Sequence, residues 1–125
     1  MKNKTLYPFV FLNMAIAISL GAIGAHALKK SLSAAKLETF LTGNRYHFYI
    51  TFSILLFLIL EQVFDGLDLK KSRILAMVGL IFFTFGCYIY ALSGVKLFVH
   101  IVPVGGVAFI FAWLMGMRSF MKLNV

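Results

Sequence analysis

The chain has three histidines, and each stands at the end of an apolar run. His26 closes the first run. His47 sits in the entrance to the second, within Arg45-Tyr46-His47-Phe48-Tyr49, and His100 lies at the start of the last, just before Pro103. If the runs are successive membrane spans, their alternating direction brings all three to one membrane face. Arg45, Tyr46, Tyr49, Tyr88, Tyr90 and Lys96 would share that face. Three imidazoles could ligate zinc or copper, but these lack the i, i+4 pairing of a helical metal site, and only Glu38 backs them on that side. Haem would need an axial ligand deeper in the membrane. Arg45 and Lys96 could instead wall a pocket for a lipid headgroup or another anionic ligand. The competing reading is ordinary interfacial decoration, with His26 hydrogen-bonded to the first connection. We therefore assign no metal and no cofactor, and take His26, Arg45, Tyr46, His47, Tyr49, Lys96 and His100 as the candidate ligand face.

The elements that must position these residues follow from composition. Of the 125 residues, 62% are hydrophobic and 13% are charged, against about 25% charged in soluble domains. A single soluble domain could not hide that much apolar surface, so the bilayer must be the solvent. The net charge of +8 does not point to nucleic acid. The twelve basic residues are spread over the segments between and beyond the apolar runs, with no basic face on a folded domain to present. Cys87 is a lone cysteine inside an apolar run and excludes an intramolecular disulfide. The chain has no nucleotide loop, nucleophile elbow or paired-carboxylate site, so it does not read as an enzyme.

Four spans are expected, at about 6–28, 46–64, 73–92 and 97–120, forming an all-α transmembrane four-helix bundle in a single membrane domain. The first, preceded by Lys2 and Lys4, resembles a signal peptide, but its 23 apolar residues exceed the usual 7–15-residue signal core. Asn13 is the one amide in that run and should face another helix. Between the first two spans, Ala34, Leu37, Phe40 and Leu41 recur at helical spacing. This predicts a short amphipathic interfacial helix over 33–43, with Ser33 as N-cap and Gly43 as stop. Glu61, near the far end of the second span, should be interfacial or paired with Arg73 or Lys4. Ser93-Gly94-Val95-Lys96 should make a tight turn, and Pro103, Gly105 and Gly106 a kink in the last span.

Small residues suggest how the spans pack. Ala17, Gly21 and Ala25, with Gly24 beside them, line one side of the first span; Gly105, Ala108, Ala112 and Gly116 line the fourth. Such rows let backbones approach closely in lipid, which predicts that spans one and four meet. With four spans both termini share a side. That side carries seven Lys and Arg residues against five opposite, and the positive-inside rule favours a cytoplasmic location for it.

Three blocks carry a resemblance. Gly21-Ala22-Ile23-Gly24-Ala25-His26-Ala27-Leu28, the Thr42–Tyr46 entrance to the second span, and Pro103-Val104-Gly105-Gly106 are similar to the blocks of the domain-of-unknown-function 423 family. The family comprises small four-span bacterial inner-membrane proteins, with eukaryotic relatives called transmembrane protein 256. The resemblance covers nearly the whole chain and implies no activity. Its pattern has a histidine four residues after the Tyr46 equivalent, where this chain has Ile50; His47 lies three residues earlier on roughly the same face. The resulting expectation is a non-enzymatic inner-membrane protein, either an accessory subunit or a module binding lipid or a small ligand. A small oligomeric transporter or channel is the first alternative, and a metal- or haem-binding protein the second. Membrane lipids, a membrane protein or a second copy of the chain are the partners this implies.

Overall fold

A computed structural model describes residues 1–124. Helix α1 (Leu6–Ala25) is followed by a five-residue helix α2 (Ala27–Ser31) and the long helix α3 (Ala34–Val63). The third span is made of α4 (Lys70–Gly79), a π-helical turn at Leu80–Phe85, and α5 (Gly86–Ser93). Helix α6 (Leu97–Met121) completes the chain. Four helical stretches are thus long and apolar enough to cross a membrane, and the protein is a four-span helical membrane bundle.

The segment expected to form a separate amphipathic helix is helical, but it is the beginning of α3. Ser33 caps it as expected, accepting a hydrogen bond from the Lys36 backbone N–H at 3.3 Å. Gly43 does not stop the helix. It lies buried in mid-helix, where a methyl group would come within 2.6 Å of the Cys87 Cβ. The glycine serves close packing here, so the helix runs on. At 30 residues α3 is roughly 45 Å long, against a hydrocarbon core of about 30 Å, so an upright α3 carries its polar first turns beyond the lipid. The separate short helix between the first two spans is α2. Its Leu28 and the Leu32 that follows it pack against a small cluster of Phe40, Tyr88 and Ala91.

The spans associate as a series: α1 lies against α3, α3 against the third span, and the third span against α6. The expected meeting of spans one and four is therefore not made. Each small-residue row has found a different neighbour. On α1, the Ala17 carbonyl and Gly21 meet Asn44 of α3, Gly24 meets the Phe40 ring, and Ala25 is exposed. On α6, Gly105, Ala108, Ala112 and Gly116 are buried. Gly105 faces Phe82 and Phe83 in the π-helical turn, and Gly116 faces Ser72 of α4. A small row permits close approach by any helix, so it does not select its partner.

Helix α6 continues unbroken through Pro103. The ring removes one backbone donor, and across the interface the third span makes its π-helical turn at Leu80–Phe85. The main core holds Ile50, Ile54, Phe57 and Leu58 of α3 with Leu69, Ala76, Leu80 and Ala112. Trp113 lies edge-on to Phe57, with ring centres 5.2 Å apart. Gly94 ends α5 at φ +71°, a conformation costly for a side chain, and its N–H bonds the Tyr90 carbonyl at 2.8 Å. The tight turn expected there is formed.

Candidate functional site

One buried chain of hydrogen bonds links α1, α3 and α5. Asn44 donates to the Ala17 carbonyl at 2.8 Å and to the Tyr88 hydroxyl at 3.0 Å. That hydroxyl lies 2.9 Å from His47 Nδ1. His47 Nε2 lies 3.1 Å from Asn13 Oδ1, and Asn13 Nδ2 donates to Thr51 Oγ1 at 2.8 Å. One tautomer satisfies all these groups: Nε2–H donates to Asn13, while Nδ1 accepts from Tyr88, whose oxygen in turn accepts from Asn44. That assignment rests on the partners rather than on located protons. It makes His47 a neutral imidazole. All five side chains are buried, His47 and Thr51 completely.

A second polar centre sits at the other end of α3. Glu61 and Arg73 form a buried ion pair. The second Glu61 oxygen accepts from the Leu69 backbone N–H at 2.7 Å, and Asn3 donates to the carboxylate at 3.2 Å. One carboxylate thus ties the start of α4, the connection before it and the N-terminal segment to α3. Gln62 adds paired contacts with the Lys2 backbone, at 2.9 and 3.3 Å. Of the two partners expected for Glu61, the structure selects Arg73.

The candidate ligand face does not include His47. His47 is withdrawn into the buried chain, while His26, Tyr49, Lys96 and His100 are exposed. Arg45 bonds Glu38 at 2.8 Å and Thr42 at 2.9 Å on the surface of α3. Tyr46 packs against Phe83 and Tyr49, with ring centres 4.5 and 5.5 Å away. His26 lines a shallow hollow with Lys29 and Lys30. Among the described residues no three His, Cys, Asp or Glu side chains converge as a metal site would need.

The sequence did carry a trace of the real arrangement. Phe40, Gly43, Asn44, His47, Ile50, Thr51, Ile54, Phe57, Leu58 and Glu61 are the buried face of α3. They recur at i, i+3, i+4 and i+7, which with Ser53 at the edge makes a single stripe on a helix. Grouping His47 with its neighbours Arg45 and Tyr49 crossed from that stripe to the exposed side. Asn13 faces another helix, as expected from its isolation in an apolar span.

A cleft of about 310 Å³ opens at the end of the bundle where the termini lie. Gly66, Asp68 and Lys71 line it from the connection before α4 and that helix's first turn; Met115, Arg118, Ser119 and Lys122 line it from the end of α6.

The model of a family described as a protein of unknown function (DUF423) matches residues 20–106. The chain belongs to this family. Proteins similar to this chain include the UPF0382 membrane protein YwdK of Bacillus subtilis strain 168. It is 30% identical over 105 residues, which are 83% of this chain and 85% of the relative. The UPF0382 inner membrane protein YgdD of Escherichia coli strain K12 is 28% identical over 99% of this chain and 95% of its own. The UPF0382 membrane protein SSP2132 of Staphylococcus saprophyticus is 34% identical over 83% and 86%. No solved structure matches the chain. The DUF423 match takes in Asn44, His47, Thr51, Tyr88 and the Glu61–Arg73 pair, whereas Asn13 and the Arg118 and Lys122 side of the cleft lie outside it. In this DUF423 protein Ile50 is part of the apolar core, and His47 is the histidine of the buried polar chain.

Proposed function

We propose that this protein is a non-enzymatic membrane module that engages an anionic lipid or another small anionic ligand at the membrane interface, either alone or as an accessory subunit of a larger membrane assembly. The reading rests on how the polar groups are distributed. Inside the spans, Asn13, Asn44, His47, Thr51 and Tyr88 satisfy one another, and Glu61 satisfies Arg73. At the bundle end, by contrast, Lys71, Arg118 and Lys122 line an open cleft. Buried polar groups that bond each other hold helices together, whereas cations gathered at the interface attract anionic headgroups. The seven-to-five distribution of basic residues favours a cytoplasmic location for that end.

The test is native mass spectrometry of the protein extracted gently from its own membrane, with metal analysis of the same sample. A reproducible anionic lipid or a stoichiometric partner protein is the expected result. A chain free of lipid and partner that carries ions after reconstitution would replace this reading with transport. A stoichiometric metal or haem would replace it with a metalloprotein.

A further inference from the structure

The cleft between the start of α4 and the end of α6 has the composition of an anion site. Lys71 reaches it from the first turn of α4, and Arg118 and Lys122 from the last turns of α6. Asp68 is the single carboxylate among its lining residues, and Asp68 already accepts the Lys70 backbone N–H at 2.9 Å. The two ion pairs of the described residues are Glu38–Arg45 and Glu61–Arg73, so the three cleft cations have no carboxylate partner among them. The start of α4 and the end of α6 bring opposite ends of helix dipoles to the cleft, so its positive charge is that of the three side chains.

We propose that Lys71, Arg118 and Lys122 bind a phosphate group, supplied by the headgroup of an anionic lipid. The proposal rests on the functional reading above and gives it a place. A guanidinium presents a planar fork to phosphate oxygens, and two ammonium groups add point charges, Lys122 from the same end of α6 and Lys71 from α4 opposite. A volume of about 310 Å³ is at the lower end for small-ligand sites. It holds a headgroup but not acyl chains. Those have a path along α6, where Met115 lines the cleft and Leu114, Met117 and Met121 are exposed. The hollow beside His26 is a weaker candidate, because its two lysines are adjacent on the five-residue helix α2 and no second span contributes to it.

The test uses the full chain in neutral detergent. Binding is read by native mass spectrometry with phosphatidylglycerol, phosphatidylcholine and inorganic phosphate as probes. The variant Lys71→Gln/Arg118→Gln/Lys122→Gln is compared with the control Lys29→Gln/Lys30→Gln, and Arg118→Gln alone serves if the triple variant does not fold. The wild type is expected to prefer phosphatidylglycerol over phosphatidylcholine, by about fivefold for each cation engaged. The triple variant should lose the preference, Arg118→Gln should lose part of it, and the control should keep it. Loss of inorganic phosphate binding in the same variants, without any lipid preference in the wild type, would keep the phosphate site and replace the lipid with a soluble ligand. A phosphatidylglycerol preference unchanged in the cleft variants would overturn the site and leave the broader functional reading standing. If the wild type binds neither probe preferentially, both fail.

Discussion

Phe83 stands where a side chain on Gly105 would have to go. A methyl group there would overlap the Phe83 backbone nitrogen and come within 2.8 Å of its Cβ and 2.9 Å of the Phe82 carbonyl carbon. The π-helical turn of the third span and the backbone of α6 are thus in direct contact at Gly105, where α6 has no side chain to move aside.

Gly105→Ala should therefore destabilise the bundle by about 1–3 kcal/mol through overpacking against unyielding backbone. Gly106→Ala is the matched control, because its methyl would come no closer than 3.4 Å to the Phe83 ring. Thermal unfolding in one detergent compares them. Equal losses would mean that the contact at Gly105 does not have the tightness described.

Tyr88→Phe removes the central hydroxyl of the buried chain and leaves His47 Nδ1 and one Asn44 N–H without their partner. The expected loss is about 1–2 kcal/mol, bounded by the modest worth of polar contacts between membrane helices. A double-mutant cycle of Tyr88→Phe with Asn44→Ala measures the coupling. A coupling near zero would show that the two side chains act separately.

The two ion pairs should differ sharply. Glu61→Ala leaves the guanidinium of Arg73 buried without its counter-charge and should cost about 3–5 kcal/mol. Glu38→Ala removes a pair whose side chains are 65% and 55% exposed, and should cost under about 1 kcal/mol. Replacing Glu61 and Arg73 together by leucine and methionine should recover much of the loss. Unfolding of the three variants in detergent checks the order.

Because α1 and α6 pack on different partners, Gly21→Ala and Gly105→Ala alter separate interfaces. Their effects on unfolding should add to within about 0.5 kcal/mol. Strong non-additivity would restore the direct meeting of spans one and four that their small-residue rows suggested.

Where the sequence could be read and where it could not follows from what a linear pattern encodes. The spans near Leu6–Ala25, Lys70–Ser93 and Leu97–Met121 were legible because an apolar length is a local property. Ser33 as N-cap and Gly94 as turn residue were legible for the same reason. Gly43 was misread because glycine marks either a stop or a close approach, and only the neighbouring Cys87 decides between them. The partners of Gly21 and Ala112 were out of reach, since a small residue admits many neighbours. His47 lay between these cases: its stripe with Asn44 and Thr51 is visible in the sequence, but its bond to Tyr88 spans 41 positions and exists only once the third span is placed.

The turn at Leu80–Phe85 also bears on how chain length can vary. A π-helical turn takes up one residue more than an α-helical turn and lets the helix on either side keep its facing. The third span therefore contains a surplus residue that its two packed ends do not need. A homologue lacking one residue at this point could close the turn to ordinary α-geometry while still presenting Gly79 to α6 and Tyr88 to α3. A single-residue gap is best placed here when sequences of this family are aligned, and insertions or deletions elsewhere in the span would rotate one of those faces away from its neighbour.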